Sequence, residues 1–291
     1  MRHHLISFSG ADDLHKALKY ADYQYMFGDS LLVAPVVHYN RRYQRVYLPN
    51  PAENWVMLSN HYTYDEVDGR FRFQESSPMP GGQVVRLDCD LDEVPLFVKA
   101  GHAMFAVDPS VQVLKESTDK DITSYFDKEE VSHVWAWLDS ELRTLRIENW
   151  DKQVFQVEGS ADYESIKFSL EIAGKTQNII QIMNAFVGVN FSDFTVTGDF
   201  SNVDSWDAVL ECKNCAAIDQ TSKTIWINCE SGTFDFVVGP TVDTTTTVDT
   251  TTTTDTTTNP DTNSPTTTTP NSAISHTFTA FFLLFITCIL R

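Results

Sequence analysis

The chain opens with a short apolar run, Leu5-Ile6-Ser7-Phe8, broken by Ser9-Gly10. The stretch from Asp12 to Tyr20 then has helix-forming composition with acids near its start, which predicts a helix there. From residue 31 the pattern changes to short apolar or alternating runs. Leu31 to Val37 reads as one continuous apolar strand, and Arg45–Leu48, Gln83–Leu87 and Pro95–Val98 as further strands. Val134–Leu138 and Leu142–Glu148 flank Asp139-Ser140, a hairpin signal. Gln153–Val157, Ile166–Ile172, Phe194–Thr197, Thr224–Ile227 and Phe234–Val238 continue the style and predict a second small sandwich. Strands parted by short Gly, Pro, Asn and Asp clusters point to antiparallel sandwiches. No amphipathic helix of useful length is expected after residue 30.

The pattern collapses between Pro240 and Pro270. Eighteen of the thirty residues from Thr241 to Pro270 are threonine, and Asp243, Asp249, Asp255 and Asp261 recur every six residues. A segment this poor in apolar side chains cannot form a core. Threonine- and proline-rich tracts of this kind read as extended, O-glycosylated stalks, the alternative being a plain flexible linker. Asn271-Ser272-Ala273 and a short spacer then lead to the apolar run Phe278–Leu290, which at about 13 residues falls short of the roughly 20 that a spanning helix needs. Small residues, spacer and short apolar end resemble a signal for lipid attachment, at Asn271 or Ser272, or at Asn263 if the spacer is longer. A short tail anchor is the other reading. Either one places the globular part at the outer face of the plasma membrane, although the first ten residues hold no secretory signal.

Composition narrows the field. Of 291 residues, 42% are hydrophobic, which is enough for packed cores. The formal net charge of −19 repels phosphate backbones and excludes nucleic acid as the expected partner. Asn190-Phe191-Ser192 is a glycosylation sequon.

Three ordered motifs carry a resemblance. Residues 20–37 contain Gln24 and the run Met26-Phe27-Gly28-Asp29-Ser30-Leu31-Leu32-Val33-Ala34-Pro35-Val36. Arg45-Val46-Tyr47-Leu48-Pro49 precedes Trp55, and Leu91 to Gly101 contains Val94-Pro95-Leu96-Phe97-Val98-Lys99-Ala100-Gly101. Together they resemble the end of the catalytic barrel and the first C-terminal domain of glycoside hydrolase family 31, the α-glucosidase and α-xylosidase family. The likeness is strong over residues 1–105 and thins towards 150. His102-Ala103-Met104-Phe105 departs from it, since the family continues with small or apolar residues and then proline. Met1-Arg2-His3-His4-Leu5 stands where the family's last barrel strand reads Met-Arg-Pro-Leu, so Met1 looks like an internal methionine of a longer protein.

The resemblance implies a mainly β chain: C-terminal β-sandwich domains preceded by the last strand and helix of a truncated (β/α)8 barrel. Its divisions are a barrel remnant at 1–30, a proximal β domain at 31–105, one or more distal β domains at 106–239, a stalk at 240–270 and an anchor signal at 271–291. Retaining glycosidases use two carboxylates about 5–5.5 Å apart, at the C-terminal ends of barrel strands. In the family both come from strands well upstream of Phe27-Gly28-Asp29. The expectation is therefore hydrolysis of α-glucosidic bonds by an intact parent, with a carbohydrate substrate, and no catalytic residue, cofactor or metal in this chain. The competing reading is a non-catalytic surface protein whose β domains bind glycans.

The remaining chemistry-bearing residues have plainer readings. Asp12-Asp13, Asp88 with Asp90, and Glu129-Glu130 read as solvated acids, and Asp29 as a turn or strand-start residue. His3 and His4 would lie near a barrel strand end, where a sugar contact is conceivable, but no metal-ligand spacing accompanies them. Cys212-Lys213-Asn214-Cys215 has no second pair to complete a zinc site. One disulfide is expected, Cys215 to Cys229 or Cys212 to Cys229, with Cys89 left as a buried thiol. Trp135 and Trp137, alternating on one strand face, and Trp206 and Trp226 are candidate sugar platforms, against the commoner fate of core packing.

Overall fold

A computed structural model of the chain describes residues 11–59, 62–65, 70–73, 76–90, 93–139, 144–149, 151–161, 165–184 and 194–240. Helix α1, Ala11–Tyr20, comes first. The strands that follow are β1 Tyr25–Phe27, β2 Leu31–Val33, β3 Tyr43–Leu48, β4 Asn54–Met57, β5 Tyr62–Asp65, β6 Arg70–Phe73, β7 Met79–Pro80, β8 Gln83–Asp88 and β9 Leu96–Lys99. They make a five-stranded sheet in the order β1-β2-β9-β4-β7 and the two-stranded pairs β3-β8 and β5-β6. The second half contributes β10 His102–Ala106, β11 Val131–Trp137, β12 Thr144–Glu148, β13 Val154–Ala161, β14 Ile166–Ala173 and β15 Gln177–Met183. It ends with β16 Phe194–Gly198, β17 Ser201–Asn202, helix α2 Trp206–Glu211, β18 Cys215–Asp219, β19 Thr224–Cys229 and β20 Gly232–Pro240. These form a six-stranded sheet, β10-β11-β15-β19-β18-β17, facing a five-stranded one, β12-β13-β14-β20-β16.

The layers follow from side-chain alternation, since successive residues of a strand point to opposite faces. In β4, β9 and β2, Trp55, Phe97 and Leu32 point towards the β3-β8 pair, where they meet Val46 and Leu48. Their neighbours Val56, Val98, Leu31 and Val33 point the other way and meet Trp135, Trp137 and Met183 of the six-stranded sheet. In β11 the intervening Val134 and Ala136, followed by Leu138, turn inward to the sandwich core with Phe155, Phe168, Leu170 and Phe236. Four β layers thus stack around three cores, and the middle core joins the two halves of the chain. At its centre the Phe73 ring stands edge-on to Trp135 and to Trp137, with centroids 5.2 and 5.4 Å away. A smaller cluster fills the rest of the outer face, where Trp206 of α2 packs on Trp226, Ile179 and Ala217.

Several strands differ from the sequence reading. The strand that begins at Leu31 ends at Val33; Ala34 still donates to Pro95 O at 3.0 Å, but Pro35 cannot donate to continue the ladder. β11 and β12 are not a hairpin: β11 lies between β10 and β15, whereas β12 pairs β13 in the opposite sheet. The chain crosses between sheets there because both flanks of β11 are already taken. The sandwich is mixed rather than antiparallel, with β11 parallel to β15 and β17 parallel to β18. The short helix α2 was not expected; Ser205 caps it by accepting from the Ala208 amide at 3.2 Å. The ladder passes from one half to the other at Gly101, whose left-handed φ of 73° turns β9 directly into β10.

Phe73 is the bridge of the middle core. Phe73→Ala is expected to lower global stability by about 3–5 kcal/mol, as for other buried aromatic truncations, measured by urea unfolding.

Candidate functional site

The described residues form a half-open cleft of about 560 Å³. It lies where edge strands β10 and β12 part without pairing, so the sandwich stays open on that side. Phe105 and Ile147, packed on the sandwich core, are among its apolar lining residues. Arg146 and Glu148 stand two apart on β12, hence on one face. Arg146 donates to Gln156 Oε1 at 2.7 Å and pairs with Glu171 at 3.7 Å; Glu148 receives Lys152 at 2.9 Å. Lys175, in the turn after β14, pairs with Asp151 at 3.4 Å. Turn residues Asp29 and Ser30 of the first half close another side. There the Ser30 Oγ and His102 Nδ1 are 3.3 Å apart. Burial, helped by the Lys99 charge, pushes the His102 imidazole below its usual pKa and so favours its neutral form.

The far wall comes from residues 107–130, which bring Tyr125 and Lys128 to the cleft. This loop is pinned at both ends. At its start Asp108 Oδ2 meets His133 Nε2 at 3.2 Å, and Asp108 Oδ1 accepts from the Ser110 amide at 2.9 Å. Burial works against ionisation of Asp108, but the His133 and Ser110 contacts outweigh it and hold the carboxyl well below the usual range. At its end Asp127 accepts from the Ser124 amide and hydroxyl, each at 2.8 Å, just before the turn Tyr125–Lys128.

The sequence candidates fall elsewhere. Asp29 does occupy a turn, between β1 and β2, and borders the cleft. Asp88 and Asp90 are exposed partners of Arg86 and Arg42, and Glu129 and Glu130 are exposed. Trp135, Trp137, Trp206 and Trp226 are all buried and offer no sugar platform; the first two pack between layers, and the other two pack helix α2 on the six-stranded sheet. The structure bridges Cys212 to Cys215, not either one to Cys229. Cys215 and Asn228 are ladder partners on the outer face, whereas Cys229 points into the sandwich core, so the sheet itself separates the two thiols. Burial there pushes the Cys229 thiol up to about 12. Cys89 is a buried free thiol. His3, His4, Asn190, Asn263, Asn271 and Ser272 lie outside the described residues, as do the side chains of Asp12 and Asp13. Among the described residues no three His, Cys, Asp or Glu side chains gather as a metal site, and no helix is long and apolar enough to cross a membrane. The cleft groups His102, Tyr125, Arg146 and Lys175 were missed. Only the departure from the family pattern at His102–Phe105 marked the place, because those residues form an edge strand.

Comparison with known proteins fits this geometry. Residues 1–104 match the Glycosyl hydrolase family 31 C-terminal domain. Over these residues the chain is similar to family 31. Gln24 shows why that segment holds together: its buried amide donates to Tyr47 O at 2.8 Å and accepts from Tyr47 N at 2.9 Å, fastening the approach to β1 onto β3 as a ladder rung would. Three solved structures share the fold over about three quarters of the chain. An uncharacterized Listeria monocytogenes EGD-e protein, in complex with α- and β-D-glucose, magnesium and calcium, is 20% identical, with 75% of this chain covered, 19% of that one and a TM-score of 0.50. The cycloalternan-forming enzyme from Listeria monocytogenes, bound to a pentasaccharide substrate, gives the same figures of 20%, 75%, 19% and 0.50. The Flavobacterium johnsoniae family 31 dextranase, with glucose, is 17% identical, with 76% and 28% covered and a TM-score of 0.51. The match therefore spans 19% to 28% of the length of these relatives.

The Asp108–His133 pair yields a pH test. A carboxyl held low in the folded state stabilises above its unfolded value, about 3.9, and loses that stabilisation as pH falls. Asp108→Asn should lower the urea midpoint at pH 7, and the deficit should shrink progressively below about pH 4.

Proposed function

We propose that this chain is the C-terminal β module of a glycoside hydrolase acting on α-glucosidic bonds, and that it supports a catalytic barrel instead of performing the chemistry. The family 31 match over residues 1–104 carries this reading. The solved relatives bind glucose, a pentasaccharide or, for the dextranase, isomaltotriose in chains of which this one would be a minor part. Helix α1 supports it further. Ala17 is buried and Tyr20 stacks on Tyr47, while Leu14 and Leu18, one turn apart, are 39% and 54% exposed. A barrel lying along α1 would cover that stripe. Asp88, Asp90, Glu129 and Glu130 are solvated or paired as above, and in this reading the two carboxylates that retaining hydrolysis requires belong to the barrel. Incubated alone with an aryl α-glucoside, the chain should release no phenol; clear turnover with retained configuration would contradict the support role.

We also read the threonine-rich segment and apolar end as a stalk and lipid-attachment signal that hold the module at the outer cell surface. The composition of residues 240–291 supports this, with attachment at Asn271, Ser272 or Asn263. Phosphatidylinositol-specific phospholipase C should release the protein from intact cells. Retention after treatment, with release only by detergent, would favour a tail anchor.

A further inference from the structure

The cleft between β10 and β12 has no part in the support role, yet it is a formed site. Its volume of about 560 Å³ falls inside the roughly 300–1,000 Å³ range of small-molecule sites. Its charge excludes several ligand classes. Lys128, Arg146 and Lys175 are balanced by Asp29, Glu148 and Asp151, and the neutral form of His102 is favoured. There is no cationic excess to hold a phosphate and no anionic excess to hold a cation.

What the cleft offers is donors and acceptors placed side by side. Arg146 neighbours Glu148 on one strand face, and each is held from behind, by Gln156 and Lys152. Lys175 lies against Asp151, and Ser30 against His102. A hydroxyl both donates and accepts, so paired groups of this kind suit a ligand rich in hydroxyls. Phe105 and Ile147, packed on the sandwich core, also border the cleft, and Tyr125 forms part of its wall. Such a surface takes the C–H faces of a ring whose edges carry the hydroxyls. We infer that this cleft binds a neutral oligosaccharide of a few sugar units.

The inference goes beyond the support role and does not depend on it, since binding here needs no hydrolysis. The test is a ¹H–¹⁵N NMR titration of the full chain with isomaltotriose, maltotriose and cellotriose, and with inorganic phosphate. Saturable shifts at Phe105, Tyr125 and Lys128 are expected for at least one trisaccharide, with Kd about 1 mM or tighter. Tyr125→Ala and Arg146→Ala should each weaken binding about tenfold, the effect of losing one good contact. Tyr39→Ala, at a fully exposed ring outside the cleft, should leave it unchanged. Absence of saturable shifts with every trisaccharide, response to phosphate alone, or binding that survives both cleft substitutions would overturn the inference. The wild-type titration decides even if a variant fails to fold, and an inactive glucoside assay has no bearing on it.

Discussion

The middle core is the constraint on which everything else depends. A sheet with one apolar face can stand against water on the other, but two sheets in this protein have none to spare. The five-stranded sheet buries Trp55 and Phe97 on one side and Val56 and Val98 on the other; the six-stranded sheet does the same with Val134 and Trp135. Burying both faces turns two sandwiches into one stack, and Phe73 set between two indoles fixes how they meet. Polar contacts line the joint without driving it. Asn54 donates to Asp139 at 3.4 Å, and the Gly101 amide donates to Trp137 O at 2.8 Å, which satisfies groups that the apolar contact has removed from water.

This packing decides where binding chemistry can sit. Indole rings on strand faces invite a carbohydrate reading, but here they are spent on cohesion between layers. Among the described residues, a cleft lies on the open side of the outer sandwich, where β10 and β12 do not pair and where the pinned loop adds a wall. The relatives caution against reading a reaction from the fold. The dextranase and the cycloalternan-forming enzyme both share it. One β architecture thus accompanies differently named chemistries, and the difference belongs to the site.

The sequence showed the strands best where burial and turn chemistry agreed. Ile166–Ala173 alternates buried and exposed along its length, and its period is plain. Gln177–Met183 was overlooked although it is central to its sheet. Asn178 and Gln181 interrupt the apolar pattern, yet both are buried, and Asn178 is held by the Cys229 carbonyl at 3.3 Å. The hairpin at Asp139 failed because short-range turn signals cannot report that β11 already has a partner on each side. The disulfide pairing failed for a related reason: sequence separation does not show that Cys215 and Cys229 point through opposite faces of one sheet. The candidate cleft was the least legible feature, since it is assembled from residues as far apart as Ser30 and Lys175.

The central claim is that this β stack completes a family 31 enzyme. The most direct measurement is the sequence of the native transcript upstream of the Met1 codon. The account predicts an open frame that continues into a (β/α)8 barrel with two aspartates at its strand ends. An in-frame stop shortly before Met1 in the mature message would contradict it.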